Sequence, residues 1–310
     1  MIQYLRIATR GSPLARWQAD YVADLLRRSI QGLEVEVIPI TTTGDVQLET
    51  SLAKIGGKGL FIKELEAAMA ENRADLAVHS MKDVPWRLPD GFRIASVLQR
   101  ADPGDALVSA GSVDLEELRD RARIGTSSLR RQAQVRHLRP DLQVHSVRGN
   151  VETRIKKLDD GEFDAIVLAA AGLKRLGLGK RISARLSFEQ CLPAIGQGAI
   201  GIECRDDNEE LVAALKQVEH TGTRRCLDAE RSLAKGLEAS CESPIAAHGE
   251  VRDGELLLRG LVASPDGRQI VRGRRRGRLT DAEWLGQDLA KELLEQGGRD
   301  ILEELRREEA

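Results

Sequence analysis

Aromatic side chains make up only 3% of this 310-residue chain: four Phe, three Trp and two Tyr. A protein that holds single-stranded nucleic acid by stacking its bases needs more of them. Neither sign of charge is in excess, with 47 Lys and Arg against 49 Asp and Glu. That disfavours a chain whose main work is to coat nucleic acid, which carries a strong basic surplus. No apolar run approaches the roughly 20 residues that cross a bilayer, so no membrane partner is expected. The opening stretch MIQYLRIATRGSPLARW lacks the charged start and apolar centre of a secretory leader. The expected address is therefore the cytoplasm. Cysteine is scarce, at positions 191, 204, 226 and 241, and no two have CxxC spacing. A zinc or dithiol redox site thus has little support, and disulfides are not expected in a reducing compartment. Most of these thiols are expected to be small buried apolar side chains, and a single reactive one has to be argued from its neighbours.

What is present is a rhythm of short apolar runs and amphipathic stretches. LRIAT (5–9) reads as a strand, and PLARWQADYVADLLRRS (13–29) as a helix that starts on Pro13 with Ser12 as its cap. VEVIPI (35–40), ADLAVHS (74–80) and FRIASVL (92–98) read as further strands, with a helix from about 60 to 72. This is the strand–helix–strand pattern of a parallel sheet covered by helices. It restarts with RIGT (123–126), the helix SLRRQAQVRHL (128–138), LQVHSV (142–147), a helix over 150–161 capped by Asn150, and DAIVLAA (164–170). GAIGIEC supplies one more strand, crossing back. From about 221 the pattern changes to a helix (222–238) and hairpin signals with D-G turns in EVRDGELLLRG and ASPDGRQI. With about 150 residues per domain, the length allows two domains or three small ones. The expected architecture is α/β: two lobes, the first from 1–99 with 200–217 and the second from 105–195, then a C-terminal α+β domain with an antiparallel sheet over 221–310.

Open α/β sheets bind ligands beyond the carboxyl ends of their strands. In this sequence those ends carry Arg10 and Ser12; Lys82 and Asp83; Thr126, Ser127, Ser128, Arg130 and Arg131; Arg148, Asn150 and Arg154; and Lys174 and Arg175. Lys54 and Lys58 stand in a Gly-rich loop. Arginine forks suit carboxylates and phosphates, and helix starts at Ser127 or Ser128 and at Asn150 add free N–H groups. The set describes a cleft for a polyanion, although each arginine taken singly reads as a solvated surface residue. One acid, Asp83, falls in this belt directly after a buried strand; among cations it should stay ionised, and it could steady a cationic intermediate or move a proton. The plainer reading makes it an ion pair with Lys82 or a helix cap. KIGGKGLF is not a P-loop, because Lys58 is followed by Gly59. RGRRRGR (272–278) reads as a solvated sheet face. At this level an enzyme and a binding protein for an organic anion stand side by side; nucleic-acid binding through the Arg runs is opposed by the charge balance and the few aromatics.

RGSPLARWQA, AVHSMKDVP, GTSSLRRQAQ, VRGNVETR, LAAAGLKRLG, PAIGQGAIGIECR and ERSLAKGLEASCESPI resemble, in order and over nearly the whole chain, the signature stretches of the hydroxymethylbilane synthase (porphobilinogen deaminase) family. The resemblance implies two lobes related to type II periplasmic binding proteins and a small third domain. It implies a cytoplasmic monomeric transferase of heme and tetrapyrrole biosynthesis. Such an enzyme joins four porphobilinogen molecules head to tail, losing ammonia each time, and releases hydroxymethylbilane. It implies a covalent dipyrromethane cofactor in thioether linkage to Cys241, and Asp83 as the catalytic carboxylate. It further implies that Arg10, Lys54, Lys58, Arg130, Arg131, Arg148, Arg154 and Arg175 grip the acetate and propionate groups. Ser12, Ser127 and Ser128 would add hydrogen bonds there, and Lys82, Thr126, Asn150 and Gln197 would complete the cofactor and substrate site. Two departures stand out. Ala239 and Ser240 precede Cys241 where the family has smaller residues, and Ala101 and Gly104 replace side chains expected at the hinge.

Overall fold

The structure, a computed structural model, describes residues 2–43, 62–111, 113–240 and 243–309. In chain order its first strands are β1 (Tyr4–Arg10), β2 (Glu34–Ile40), β3 (Leu76–Ser80), β4 (Phe92–Val97), β5 (Asp105–Ser109), β6 (Arg123–Gly125) and β7 (Gln143–His145). The remaining strands are β8 (Ala165–Ala169), β9 (Ala184–Arg185), β10 (Ile200–Arg205), β11 (Ile245–Arg252), β12 (Glu255–Ala263) and β13 (Ile270–Gly277). The α-helices are α1 (Pro13–Ser29), α2 (Lys63–Ala70), α3 (Leu129–Leu138), α4 (Val151–Asp159), α5 (Ala170–Arg175), α6 (Glu209–Leu215), α7 (Thr221–Gly236), α8 (Ala282–Leu293) and α9 (Arg299–Glu309). They fall into two compact units, Met1–Ala101 with Ala199–Arg224, and Asp102–Gly198 with Arg225–Ala310.

The first unit holds a five-stranded sheet in the order β2-β1-β3-β10-β4. β1 runs parallel to β2 and β3, while β10 is antiparallel to both β3 and β4. The sheet expected to be parallel is therefore mixed. β10 belongs to a later part of the chain, so it enters without the crossover helix that would make it parallel. α1 begins where expected: Ser12 takes the Ala15 N–H at 3.4 Å and Pro13 fills the first turn. Its Ala19, Val22, Ala23 and Leu26 pack with Leu5, Ile7, Leu76, Val78 and Ile202 in one core layer. Leu65, Ala68 and Met69 of α2 close the opposite face over Ala8 and Ala77.

The second unit repeats the arrangement. Its sheet order is β7-β6-β8-β5-β9, and again one strand, β5, runs against its neighbours. With β6 set against β1, the two orders correspond position for position, β5 standing where β10 stands, although β5 precedes its sheet partners in the chain and β10 follows its own. β5 was not expected as a strand; all five of its residues are buried, and it opens on a charged one, Asp105. The same unit contains the three-stranded antiparallel sheet β11-β12-β13. Its first hairpin turns on Asp253 and Gly254, both with positive φ (53° and 78°), the backbone demanded by a two-residue turn matching strand twist. α7 and α8 cover this sheet through Ala229, Leu233, Leu285, Leu289 and Leu293. A smaller apolar cluster, Ala133, Leu192, Ala246, Leu261 and Ala263, joins α3 to it. In β13 the arginines alternate: Arg272, Arg274 and Arg276 are exposed, while Arg275 turns to Asp288 and Glu292 of α8.

Candidate active site

In the first unit, β1 and β3 deliver their carboxyl ends to one cleft. It is lined by Arg10, Ser12, Leu14, Ala15, Gln18, Ile62, Val78, His79, Ser80 and Asp83, around about 410 Å³ of open space. Arg10 ends β1, and Ser12 is fixed by its capping role. β3 runs straight into a single 3-10 turn, Met81–Asp83, held by the Met81 N–H to the Ala199 carbonyl at 3.0 Å and the Val84 N–H to the Met81 carbonyl at 3.3 Å. That turn sets Asp83 on the wall half-buried, with Lys82 beside it in sequence. Three of the expected residues, Arg10, Ser12 and Asp83, are thus brought together. Gln18 and Ser80 join them unforeseen, bonded side chain to side chain at 2.8 Å, with Gln18 almost wholly buried. A buried polar residue on the inward face of α1 is the signal that would have found Gln18. Lys54, Lys58 and Cys241 lie outside the described residues.

In the second unit, the expected anion-binding groups divide into two kinds. Arg130, Arg131 and Gln197 converge on Asp105, all four being sealed from solvent. Arg130 Nη1 lies 2.7 Å from one carboxylate oxygen and Arg131 Nη2 2.6 Å from the other, and Gln197 Nε2 adds a bond of 2.8 Å. Arg130 also donates to the Leu192 carbonyl (2.6 Å) and Arg131 to the Val167 carbonyl (3.0 Å). Burial alone would raise the Asp105 carboxyl, but the two guanidinium charges override it and hold the acid far below the usual carboxylate range. Two cations against one anion leave this buried cluster one positive charge in surplus. Cys191, 3.2 Å from Asp105, is pushed up to about 12 by burial and then by that carboxylate, so it stays a thiol.

The second kind sits toward solvent. Ser127 donates to the Val147 carbonyl at 2.5 Å and touches Ser146, which places it next to the segment leading to Arg148. Thr126 is buried and takes the Ser128 N–H at 3.3 Å, while Ser128 caps α3 by backbone position alone. Asn150 spends its side-chain oxygen on the Thr153 N–H (2.9 Å) and hydroxyl, so it caps α4. Arg154 donates to the Gly149 carbonyl (2.8 Å) and Arg175 to the Gly198 carbonyl (2.8 Å). Nearby, Asp102 is gripped by Lys174 (2.8 Å) and by both arms of Arg185. The Arg185 guanidinium fills the space that a Cβ on Gly104 would need, so glycine at this departure from the family pattern makes room for a different ion pair.

The sequence from 5 to 213 matches the family model described as porphobilinogen deaminase, dipyrromethane cofactor-binding domain, and 224–295 matches the porphobilinogen deaminase C-terminal domain. The chain belongs to the porphobilinogen deaminase family. As a porphobilinogen deaminase it is a transferase of tetrapyrrole biosynthesis, hydroxymethylbilane synthase, which condenses porphobilinogen onto a dipyrromethane cofactor. Its architecture is α/β, with two mixed five-stranded sheets and a small C-terminal three-stranded antiparallel sheet. Among solved structures, it is similar to a double mutant of the BvgS VFT2 domain of Bordetella pertussis, at 19% identity over 70% of this chain and 86% of that one, with a TM-score of 0.41. It is also similar to a TRAP periplasmic solute binding protein of Desulfovibrio salexigens, at 12% identity over 74% and 77%, TM-score 0.43. Likenesses this distant say nothing of ligand or activity. Among the described residues no helix is long and apolar enough to cross a membrane.

Proposed function

We propose that Asp83 is the carboxylate that steadies the cation left when porphobilinogen loses ammonia, and that Arg10 and Ser12 hold the substrate's acid groups beside it. The observation that carries this reading is the single cleft lined by all three. An arginine and a carboxylate lining one cleft suit a substrate that carries both acid groups and a developing positive charge.

The dipyrromethane cofactor, when bound, supplies the pyrrole carbon to which units are added. Its own acetate and propionate groups fit the donors of the second unit. The Asp105 cluster has one positive charge to spare, and Ser127, Arg148 and Arg154 of the same unit are partly exposed. In this reading Arg130 and Arg131 act as a buried cationic floor and Arg148, Arg154 and Arg175 as outer grips, while Thr126, Ser128, Asn150 and Gln197 hold the frame that carries them. Lys54, Lys58 and Lys82 complete the belt, and Cys241 carries the thioether, all by resemblance. The domain limits 1–99 with 200–217, 105–195 and 221–310, a monomeric state, a cytoplasmic address and the absence of a nucleic-acid partner belong to the same reading. The test is Asp83→Asn: the protein folds and keeps its cofactor, and turnover measured as ammonia released falls by about 10²–10³-fold, the scale of one preorganised charge contact. Turnover within threefold of wild type removes Asp83 from the mechanism.

A further inference from the structure

Behind the wall that presents Asp83 lies a group of ionisable side chains that the reaction as described does not use. His79 of β3 and Glu203 of β10 are diagonal neighbours on one sheet face, since His79 pairs in register with Gly201 and Ala77 with Glu203. Glu203 is fully buried and His79 nearly so, and Nε2 of the ring approaches one Glu203 oxygen to 2.7 Å. His79 is also one of the residues lining the cleft that holds Asp83. α2 covers the same face of the sheet and contributes Glu66, itself buried.

The hydrogen bonding of this group does not close. The His79–Glu203 approach is short but poorly aimed. Among the described residues, both Glu203 oxygens, Oε1 of Glu66 and Nε2 of His79 are buried without a well-formed hydrogen bond. Among the described residues the two carboxylates have no well-aimed donor, and a buried orphan of this kind is costly. A proton held between Glu66 and Glu203 supplies the missing donor. Burial first, then the charge of Glu203, pushes the Glu66 carboxyl up to about 7, which agrees with a proton retained there. Lys63 on α2 opposes this only weakly, and Lys82 and Asp83 are the charged groups next along the chain from β3.

We propose that Glu66 and Glu203 share one proton, and that Glu203 is thereby a positioning residue for condensation: its remaining charge fixes the tautomer and tilt of His79, which lines the same cleft as Asp83. The carboxyl pair and the imidazole act as one unit. While the pair keeps its proton, one negative charge faces Nε2 and holds the ring in one orientation. When the pair loses it, two negative charges face the ring and that hold on His79 changes. This rests on the reading that Asp83 acts in the cleft.

The test uses the purified holoenzyme with porphobilinogen over pH 5.5–8.5, and nitrogen-detected NMR of ¹⁵N-histidine-labelled protein. Glu203→Gln is expected to lower kcat at least tenfold with KM within twofold, and to change the ring-nitrogen shifts of His79. Glu66→Gln, which mimics the protonated acid, is expected to abolish the limb of the kcat profile centred near pH 7 and to leave His79 in one tautomer across the range. Glu203→Asp should restore part of kcat. If both glutamine variants keep the wild-type pH profile and His79 shifts, the proposal is overturned, even where stability has dropped. If Glu203→Gln fails to fold, the Glu66→Gln profile and spectrum decide alone. An inactive Asp83→Asn protein beside an unshifted Glu66→Gln profile rejects this inference and spares the reading of Asp83; a fully active Asp83→Asn protein rejects that reading whatever His79 does.

Discussion

Replacing Asp105 by Asn removes one charge from a buried trio and leaves Arg130 and Arg131 facing each other. Their guanidinium groups lie 2.7 and 2.6 Å from the carboxylate. With about 4 Å between charge centres and an effective dielectric near 20, each attraction is on the order of 4 kcal/mol before desolvation. Desolvation offsets much of the gain in the wild type, yet in the variant the cations stay buried with no anion. Removing one partner of a buried pair costs about 3–5 kcal/mol. The new amide makes matters worse, because its NH₂ faces other donors in either orientation: Gln197 Nε2 and Arg131 in one, Arg130 in the other. For a unit of this size the loss corresponds to a fall in Tm of about 10 °C. The sign of its pH dependence also follows. Asp105 has a depressed folded-state pKa, so its contribution is fully present above the unfolded carboxylate pKa and fades only in strong acid. The deficit should therefore be the same at pH 5.5 and pH 8.5. Thermal unfolding followed by circular dichroism at both values checks this. A Tm within 2 °C of wild type, or a deficit that vanishes at either pH, would refute the view that Asp105 anchors the arginine floor.

Glu66 has the opposite sign. Its carboxyl binds a proton more tightly folded than unfolded, so the folded state loses stability as pH climbs from 4.5 to about 7, by up to about 3 kcal/mol. In urea denaturation, Glu66→Gln should match wild type at pH 4.5 and exceed it at pH 8; a difference independent of pH would count against the buried acid. Gly104→Ala should dislodge Arg185 from Asp102, costing about 1–2 kcal/mol in the same assay, and Arg185→Ala should make the glycine change nearly neutral. Full cost in both backgrounds would mean that the Arg185 side chain is not what the added methyl meets.

The strands and helices that carry a strong period were legible in the sequence. α1 with its Ser12–Pro13 start and the Asp253–Gly254 hairpin follow from local chemistry alone, because caps and positive-φ turns admit few residue types. The antiparallel strands β5 and β10 follow from where the chain returns, which no local pattern encodes; β10 was found by its apolar run, β5 was not. For the site, position after a strand was enough to pick Arg10, Ser12 and Asp83 for one wall. It was not enough to tell which arginines face solvent. Arg130 and Arg131 stand on one helix turn, and their burial depends on Asp105, an acid placed 25 residues before Arg130 at the start of a wholly buried strand. Glu66, Glu203 and His79 meet only through sheet register and the packing of α2, so their cluster was invisible until the fold was known.

If pyrrole units grow on a sulfur-tethered primer in this chain, the intact mass of the purified protein shows it. The expected protein is heavier than its sequence by a covalent two-pyrrole unit, gains further units on brief exposure to porphobilinogen, and as Cys241→Ser has its bare sequence mass. A wild-type protein that shows no adduct after incubation with porphobilinogen, or a Cys241→Ser protein that carries the same increment, would contradict it.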